Sequence, residues 1–244
     1  MLKCENLSFR YNKGGKNVLN SASLELGQGE IGIVLGKNGS GKTTLFKNIL
    51  GIAAPESGSI SFEHENLLNM SRRERARKIA YVPQDIQFGA LTVFDSILMG
   101  RVAYFGLKAS HEDYEAVEKI VTDMGLNDYA GRNVEELSGG ERQKIAIARA
   151  ISLHPEVLIC DEATSALDVS IQQEIMAFLK EHQDETNYAI LFISHDLALV
   201  ENFSQQVVVM YLGRIVEIMN GAAFRMHARH PYTKALLGSV FSIY

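Results

Sequence analysis

The run "IGIVLGKNGSGKTTLFKNI" over residues 31–49 constrains this chain more than any other stretch. A buried-type strand pattern, "IGIVL", leads directly into nine residues that hold three glycines, two lysines and three hydroxyls. Glycines in that number weaken any helix or strand they occupy. The cost has to be offset, and a ligand that needs bare backbone close to it does so. The stretch fits G-x-x-x-x-G-K-[ST], with Gly36, Gly41, Lys42 and Thr43 in the fixed positions. A strand precedes it and a helical pattern follows, which is the context that spacing requires. Successive backbone N–H groups then surround phosphate oxygens, and the helix that begins near Lys42 adds its positive end. The spacing predicts a nucleotide cradle built from Gly36, Lys37, Asn38, Gly39, Ser40 and Gly41. Lys42 reaches the β- and γ-phosphates, Thr43 ligates Mg²⁺, and Thr44 hydrogen-bonds an α-phosphate oxygen.

A second strand pattern carries charge at its tip. "EVLICDEATSALD" is an apolar run ending in Asp161 and Glu162. A strand tip beside a phosphate loop is where a Mg²⁺-organising aspartate belongs. Adjacent residues at a strand end point in different directions. Asp161 is therefore expected to hold the metal's water shell, and Glu162 to polarise an attacking water.

The rest of the chain reads as an α/β core with a parallel sheet. Residues 2–34 suggest short strands broken by "NKGGKN" and "GQG". In "KTTLFKNILGI", Leu45, Ile49 and Ile52 lie at helical spacing and Gly51 sits where a helix stops. "SRRERARKIAYVPQ" opens with a capping box, Ser71 with Glu74, and continues as a helix and then a strand ending at Pro83. Residues 91–150 turn mostly helical. The strand pattern returns in "EVLIC", "YAILFIS" and "QVVVMYLGRIVE".

Composition excludes several classes. With 244 residues and 46% hydrophobic content the chain builds a sizeable core and is not disordered. A net charge of −5, from 24 basic and 29 acidic residues, argues against a nucleic-acid binder. Cys4 and Cys160 lie far apart, without metal-ligand spacing, and point to a reducing compartment. Apolar runs are strand-sized and the N-terminus lacks a signal-peptide pattern, so a cytoplasmic protein is expected.

The stretch "LSGGERQKIAIARA" over residues 137–150 resembles the signature of ABC-transporter ATPases. That family's other motifs follow in order. Tyr11 stands at the position of the adenine-stacking aromatic, Gln84 in "YVPQ" at that of the Q-loop, and "SALD", ending at Asp168, at that of the D-loop. His195 in "ISHD" matches the switch histidine. The resemblance covers essentially the whole chain. It implies a P-loop NTPase (RecA-like) core with a mainly parallel sheet, an N-terminal antiparallel β subdomain and a helical subdomain. It divides residues 1–85 and 152–220 as core, 86–151 as the helical part and 221–244 as a tail. It implies ATP and Mg²⁺ as ligands, with Thr43, Gln84 and Asp161 toward the metal. Glu162 is the general base, His195 contacts the γ-phosphate and the water, and Lys42 and Gln84 complete the catalytic set. Ser138, Gly139 and Gly140 precede a long amphipathic helix and form a second anion site at its N-terminus. The family's arrangement is a head-to-tail dimer in which this turn serves the partner's nucleotide, and Asp168 is a further nucleotide-binding position. The implied partners are integral membrane permease subunits, a second ATPase (an identical copy or a paralogue) and a solute-binding protein, with no nucleic acid. The place is the cytoplasmic face of the membrane.

Branch resemblance is mixed. Residues up to about 150 resemble importers of iron–siderophore complexes, haem or cobalamin, in "LTVFDSILMGR", "VPQDIQF" and "MGLNDYAGRNVEELSGGERQ". From about 155 onward "ICDEATSALDVSIQ", "LFISHDLALVE", "VVVMYLGRIVE" and "HPYTKALLGSV" resemble peptide and nickel importers. Two readings of the split are open: a recombinant or designed chain joined near "ARAISLHP", or a natural intermediate. Ala163 stands where many relatives have proline, and the tail lacks the cysteines of an iron–sulfur site. Met226, His227 and His230 read as a polar loop rather than a metal site, and "RRERARK" as the wet face of a short helix rather than a site for lipid headgroups. The apolar stripe Leu91, Val93, Phe94, Leu98, Tyr104 and Phe105 lies in the region that receives the permease in this family, and much of it is expected to be local core. The rival classes are a soluble ABC ATPase of DNA repair or translation and a non-hydrolysing regulatory module. One cassette with a compact insert argues against the first, and joint retention of Lys42, Asp161, Glu162 and His195 against the second.

Overall fold

The structure is a computed structural model and describes residues 1–164 and 167–241. In chain order its main elements are β1 (Leu2–Phe9), β2 (Leu19–Leu26), β3 (Ile31–Leu35), α1 (Lys42–Ile49), β4 (Ser57–Phe62), β5 (Glu65–Asn66), α2 (Arg72–Lys78) and β6 (Ile79–Val82). There follow α3 (Val93–Leu98), α4 (His111–Asp123), α5 (Gly139–Ile151), β7 (Val157–Asp161), α6 (Val169–Thr186) and β8 (Ala189–Ile193). The chain closes with α7 (Leu197–Phe203), β9 (Gln206–Tyr211), β10 (Arg214–Asn220), α8 (Phe224–His227) and α9 (Pro231–Phe241). They form two compact units, Met1–Met70 with Ala189–Tyr244, and Ser71–Tyr188.

The first unit carries two sheets. One is antiparallel, in the order β2-β1-β4-β5. In β1 and β2 the residues Leu2, Cys4, Leu7, Leu24 and Leu26 are buried while Glu5 and Glu25 stay outside, the alternation of a sheet with one wet face. The alternation slips between Cys4 and Leu7, where the pairing register shifts and Asn6 takes φ +51°. The other sheet is built around β3, which runs parallel to β8 on one side and β9 on the other, with β10 antiparallel at the edge. All five residues of β3 and all five of β8 are buried, so these strands read as apolar runs instead of alternating. The α/β class with a parallel sheet, expected from the sequence, is what forms.

The sequence pattern "QVVVMYLGRIVE" turns out to be two strands. Leu212 at φ +47° and Gly213 at φ +77° form a two-residue hairpin loop between β9 and β10. Apolar periodicity continues through the turn because Leu212 is itself apolar, and it is exposed there. Ile52, placed with Leu45 and Ile49 by helical spacing, lies past the left-handed Gly51 and is exposed.

In the second unit β6 and β7 are parallel neighbours, in register from Ile79 opposite Val157 to Val82 opposite Cys160. Val93, Ile97, Val117, Ile120, Ile145 and Ile147 form its helical core, so Val93 is not part of an open apolar stripe. The basic cluster is not simply a wet face. Arg73 and Arg77 both donate from Nε to the Ala103 carbonyl, at 2.8 and 3.0 Å, and Arg73 also donates to the Phe105 carbonyl. Arg77 lies over the Tyr104 ring, and Arg75 is buried. The capping box of Ser71 and Glu74 does form, and it starts α2 where these arginines can reach the 103–105 backbone.

A buried ion pair lies within this unit. Arg101 Nε lies 2.8 Å from Asp113 Oδ1, with both side chains almost fully enclosed. Burial opposes the charge on Asp113, but the Ser110 backbone and hydroxyl and the Arg101 guanidinium outweigh it and hold the carboxyl below its usual range. Its contribution is therefore complete at neutral pH and is lost as pH falls through that lowered value. Asp113→Asn is expected to cost about 3 kcal/mol in urea unfolding at pH 7, since it leaves Arg101 buried without its counter-charge. The variant should also lose part of the acid-side decline in stability that the native chain shows.

Candidate active site

The phosphate loop lies in the first unit and begins where β3 ends. Gly36 has φ +154°, and a Cβ there would stand 2.4 Å from the Met210 carbonyl oxygen of β9. Gly39 and Gly41 are also at positive φ, +79° and +106°. A Cβ on Gly41 would lie 2.9 Å from the Val18 carbonyl, whereas Gly39 has open space around it. So Gly36 and Gly41 are needed for room as well as for conformation, and Gly39 for conformation alone.

Helix α1 starts at Lys42 as the spacing predicts. Its N-cap, Gly41, supplies no side-chain acceptor, and no acidic residue occupies the first turn. The first N–H groups therefore face the loop with their positive partial charge uncompensated by a carboxylate. Lys42 is only 6% exposed; its Nζ donates to the Gly36 carbonyl at 2.6 Å and the Lys37 carbonyl at 3.3 Å. The ammonium thus already lies across the loop. Lys37, Asn38, Gly39 and Thr43 are exposed, while Ser40 is buried beneath the loop and its backbone N–H donates to the Lys37 carbonyl at 3.1 Å.

Tyr11 is not a core aromatic. It lies beyond β1, is 58% exposed, and meets Phe9 edge-to-face at 4.9 Å. Its hydroxyl shares a 3.1 Å hydrogen bond with Thr44 Oγ1. Sequence reasoning assigned those two residues separate tasks and had no signal for their contact, which joins positions 33 apart in the chain. His195 is exposed in the turn after β8, where Ser194 Oγ accepts from the Asp196 N–H at 3.0 Å.

The second unit holds the carboxylates. Strand β7 is wholly buried and ends at Asp161, to which the Tyr81 hydroxyl donates at 3.4 Å. Burial and then the Asp161 charge push the Tyr81 phenol up to about 12, so it stays a donor at neutral pH. Glu162 takes φ +50°, uncommon for a residue with a side chain. That turn separates the two carboxylates, and Glu162 Oε2 accepts from Gln84 Nε2 at 3.1 Å. The pairing follows from topology: parallel β6 and β7 deliver their tips to the same end. Sequence reasoning linked Gln84 to the metal; the structure shows its amide nitrogen donating to the Glu162 carboxylate, a contact the sequence did not announce.

The "SGGE" turn caps α5. Ser138 Oγ accepts from the Glu141 N–H at 3.3 Å, and Glu141 Oε2 accepts from the Ser138 N–H at 2.8 Å. Gly139 is exposed at the helix N-terminus. Gly140 is buried, and a Cβ on it would come within 2.9 Å of Ile171 on α6. The first glycine thus keeps the N-terminus open and the second allows helix packing. Glu141 was not among the expected site residues, although the S-x-x-E spacing announces its capping role. Asp168 is the exposed N-cap of α6 and makes no side-chain cap bond. Ser165 and Ala166 of the expected D-loop lie outside the described residues.

A family model described as ABC transporter matches residues 19–165. The chain belongs to the ABC transporter family. The ABC cassette is 37% identical over 230 residues to a putative peptide import ATP-binding protein of Brucella ovis, covering 91% of this chain and 72% of that one. It is 37% identical over 240 residues to the oligopeptide transport ATP-binding protein AppF of Bacillus subtilis, covering 95% and 73%. Among solved structures, cbiO1 of Clostridium perfringens, part of the ABC transporter complex cbiONQ, superposes with a TM-score of 0.81 at 29% identity, covering 99% of this chain and 98% of that one. The fold is that of an ABC ATPase, a P-loop cassette that binds adenine nucleotides and hydrolyses ATP.

The cassette's glycines give a graded expectation. Gly39→Ala should cost about 1 kcal/mol, the left-handed backbone penalty alone. Gly36→Ala should cost more and abolish measurable ATP binding, because its Cβ meets main-chain oxygen. Urea unfolding and nucleotide titration of both variants check the ranking.

Proposed function

We propose that this cassette is the ATP-hydrolysing subunit of a peptide importer and works at the cytoplasmic face of the membrane against integral permease subunits. The observation that carries the cargo class is the match to peptide import and oligopeptide transport ATP-binding proteins. That match takes in 91% to 95% of this chain, including the segment that on its own resembles siderophore, haem and cobalamin importers. In this reading protein contacts hold the cassette at the membrane; among the described residues no helix is long and apolar enough to cross one. The exposed side chains of Met99, Val102, Tyr104, Leu107 and Tyr114 supply an apolar surface for those contacts.

In this reading ATP is the substrate. The glycine loop and the N-terminus of α1 take its phosphates, Lys42 neutralises the β- and γ-phosphate charge, and Tyr11 stacks on the base. The hydroxyl of Thr43 and the carboxylate of Asp161, with the Gln84 carbonyl, are the hard oxygen donors the chain offers to Mg²⁺. When bound, that ion supplies charge neutralisation at the phosphates. Glu162 polarises the water that attacks in line with the γ-phosphate, and His195 holds the water and the phosphoryl group. Because Gln84 is bonded to Glu162, a displacement of Gln84 by the permease reaches the general base directly. Ser138, Gly139, Gly140 and Asp168 serve the nucleotide of a second cassette, identical or a paralogue, in a head-to-tail dimer. Residues 1–85 and 152–220 perform the chemistry and 86–151 receive the permease. A solute-binding protein delivers the peptide on the other side.

Glu162→Gln is expected to lower turnover at least 100-fold while leaving ATP binding intact, the signature of a lost general base. In proteoliposomes with the cognate permease, peptide uptake should require ATP and vanish with this variant. Uptake of a ferric siderophore or cobalamin in place of peptide would overturn the cargo assignment. Leu107→Glu should leave nucleotide binding by the isolated cassette within twofold of wild type and abolish co-purification with the permease, because it puts charge into the apolar contact.

A further inference from the structure

Tyr232, the second residue of α9, belongs to none of the nucleotide motifs, yet its phenolic oxygen accepts a hydrogen bond from the Lys37 backbone N–H at 2.7 Å. Lys37 is the first residue of the loop after Gly36. The carbonyl of that same Gly36–Lys37 peptide is held by Lys42 Nζ at 2.6 Å. One peptide unit is therefore fixed at both polar ends, by the loop's own lysine and by a residue 195 positions away.

Tyr232 is itself well anchored. Its ring stacks on Tyr211 with centroids 4.4 Å apart and planes at 29°. Tyr211 ends β9, directly after Met210, whose carbonyl closes off the space beside Gly36. The backbone leading into α9 is clamped by Glu217 of β10, which accepts from the Arg229 and His230 N–H groups at 2.6 and 3.2 Å. The Tyr232 N–H in turn donates to His230 Nδ1 at 3.2 Å. The hairpin β9–β10 thus carries both the floor under Gly36 and the support for Tyr232.

A peptide next to glycine rotates easily, because glycine tolerates both signs of φ. Were bound phosphates to draw the Lys42 ammonium toward themselves, the carbonyl side of the Gly36–Lys37 peptide would lose that restraint. The N–H side would not. We infer that Tyr232 is a positioning residue for the phosphate loop: its hydroxyl keeps the Lys37 amide turned toward α9, so that the cradle is preformed and nucleotide affinity depends on docking of the C-terminal helix. The inference rests on residues 36–44 being the nucleotide site and adds to that site a contact from outside its motifs.

Tyr232→Phe tests it, since it keeps the ring and its stack and removes one oxygen. In the nucleotide-free full chain, hydrogen exchange at the Lys37 amide should quicken roughly two- to tenfold, the loss of one hydrogen bond. The Kd for ATP should rise by a similar factor, with kcat within twofold and a melting temperature lowered by no more than a few degrees. Tyr211→Phe, which keeps the stacking surface, should move none of these. Unchanged exchange at Lys37 in Tyr232→Phe, or unchanged ATP affinity, overturns the role. The two readings fail differently. If wild type and Lys42→Ala bind ATP equally poorly, the nucleotide site itself is wrong and the positioning role falls with it, even where exchange shows the hydrogen bond to be real.

Discussion

Strand β3 has no solvent face. Its residues are all buried, and it exchanges main-chain hydrogen bonds with β8 on one side and β9 on the other. A central parallel strand of this kind cannot slide or fray without stranding polar backbone in an apolar interior. The point at which it stops is thereby fixed, and that point is Gly36. The chain must leave the sheet past the Met210 carbonyl with no room for a side chain, then reverse through left-handed glycines into α1. The phosphate loop is the consequence of a rigid strand end, a forbidden Cβ and a helix start within a few residues. Lys42 and Thr44 are placed by the same geometry, since both sit on the first turn of α1.

The second unit uses the same device with different chemistry. Two buried parallel strands, β6 and β7, present their tips together, and the tips carry Gln84, Asp161 and Glu162. Asp161 remains inside, bonded to a tyrosine whose proton burial has made hard to lose. Glu162 escapes through a left-handed backbone that costs about 1–2 kcal/mol. A strained residue held at a strand tip beside a glutamine is the arrangement expected where a carboxylate has to be aimed. The arginine staples from α2 to the 103–105 backbone belong to the same economy of placement, because they fix the neighbourhood of the exposed apolar surface.

Phosphate recognition is written in backbone conformation and a few fixed side chains, and these are shared across cassettes. In the proposed importer, cargo specificity would lie in partner proteins, so the peptide assignment rests on likeness to whole relatives and not on a pocket of the cassette.

Much was legible before any coordinates. Glycine spacing, the apolar run ahead of it and the two acids at the end of "EVLIC" are local patterns, and local backbone rules suffice to read them. The same holds for the capping box at Ser71 and the helix over residues 139–151. Other features were not legible, because they depend on which strand lies beside which. Parallel pairing of β6 and β7 joins Gln84 to Glu162 across 78 positions, and the fold of the hairpin β9–β10 carries Tyr232 to Lys37. The exposure of Tyr11, the stapling role of the basic cluster and the division of one apolar run into two strands were likewise decided by packing. Sequence alone determined that this chain makes a phosphate loop and a pair of acids at a strand tip, since those rest on main-chain sterics over a few residues. Only the tertiary structure decided which distant side chains hold them in place, because contact between remote segments is set by sheet order, and sheet order is not a local property.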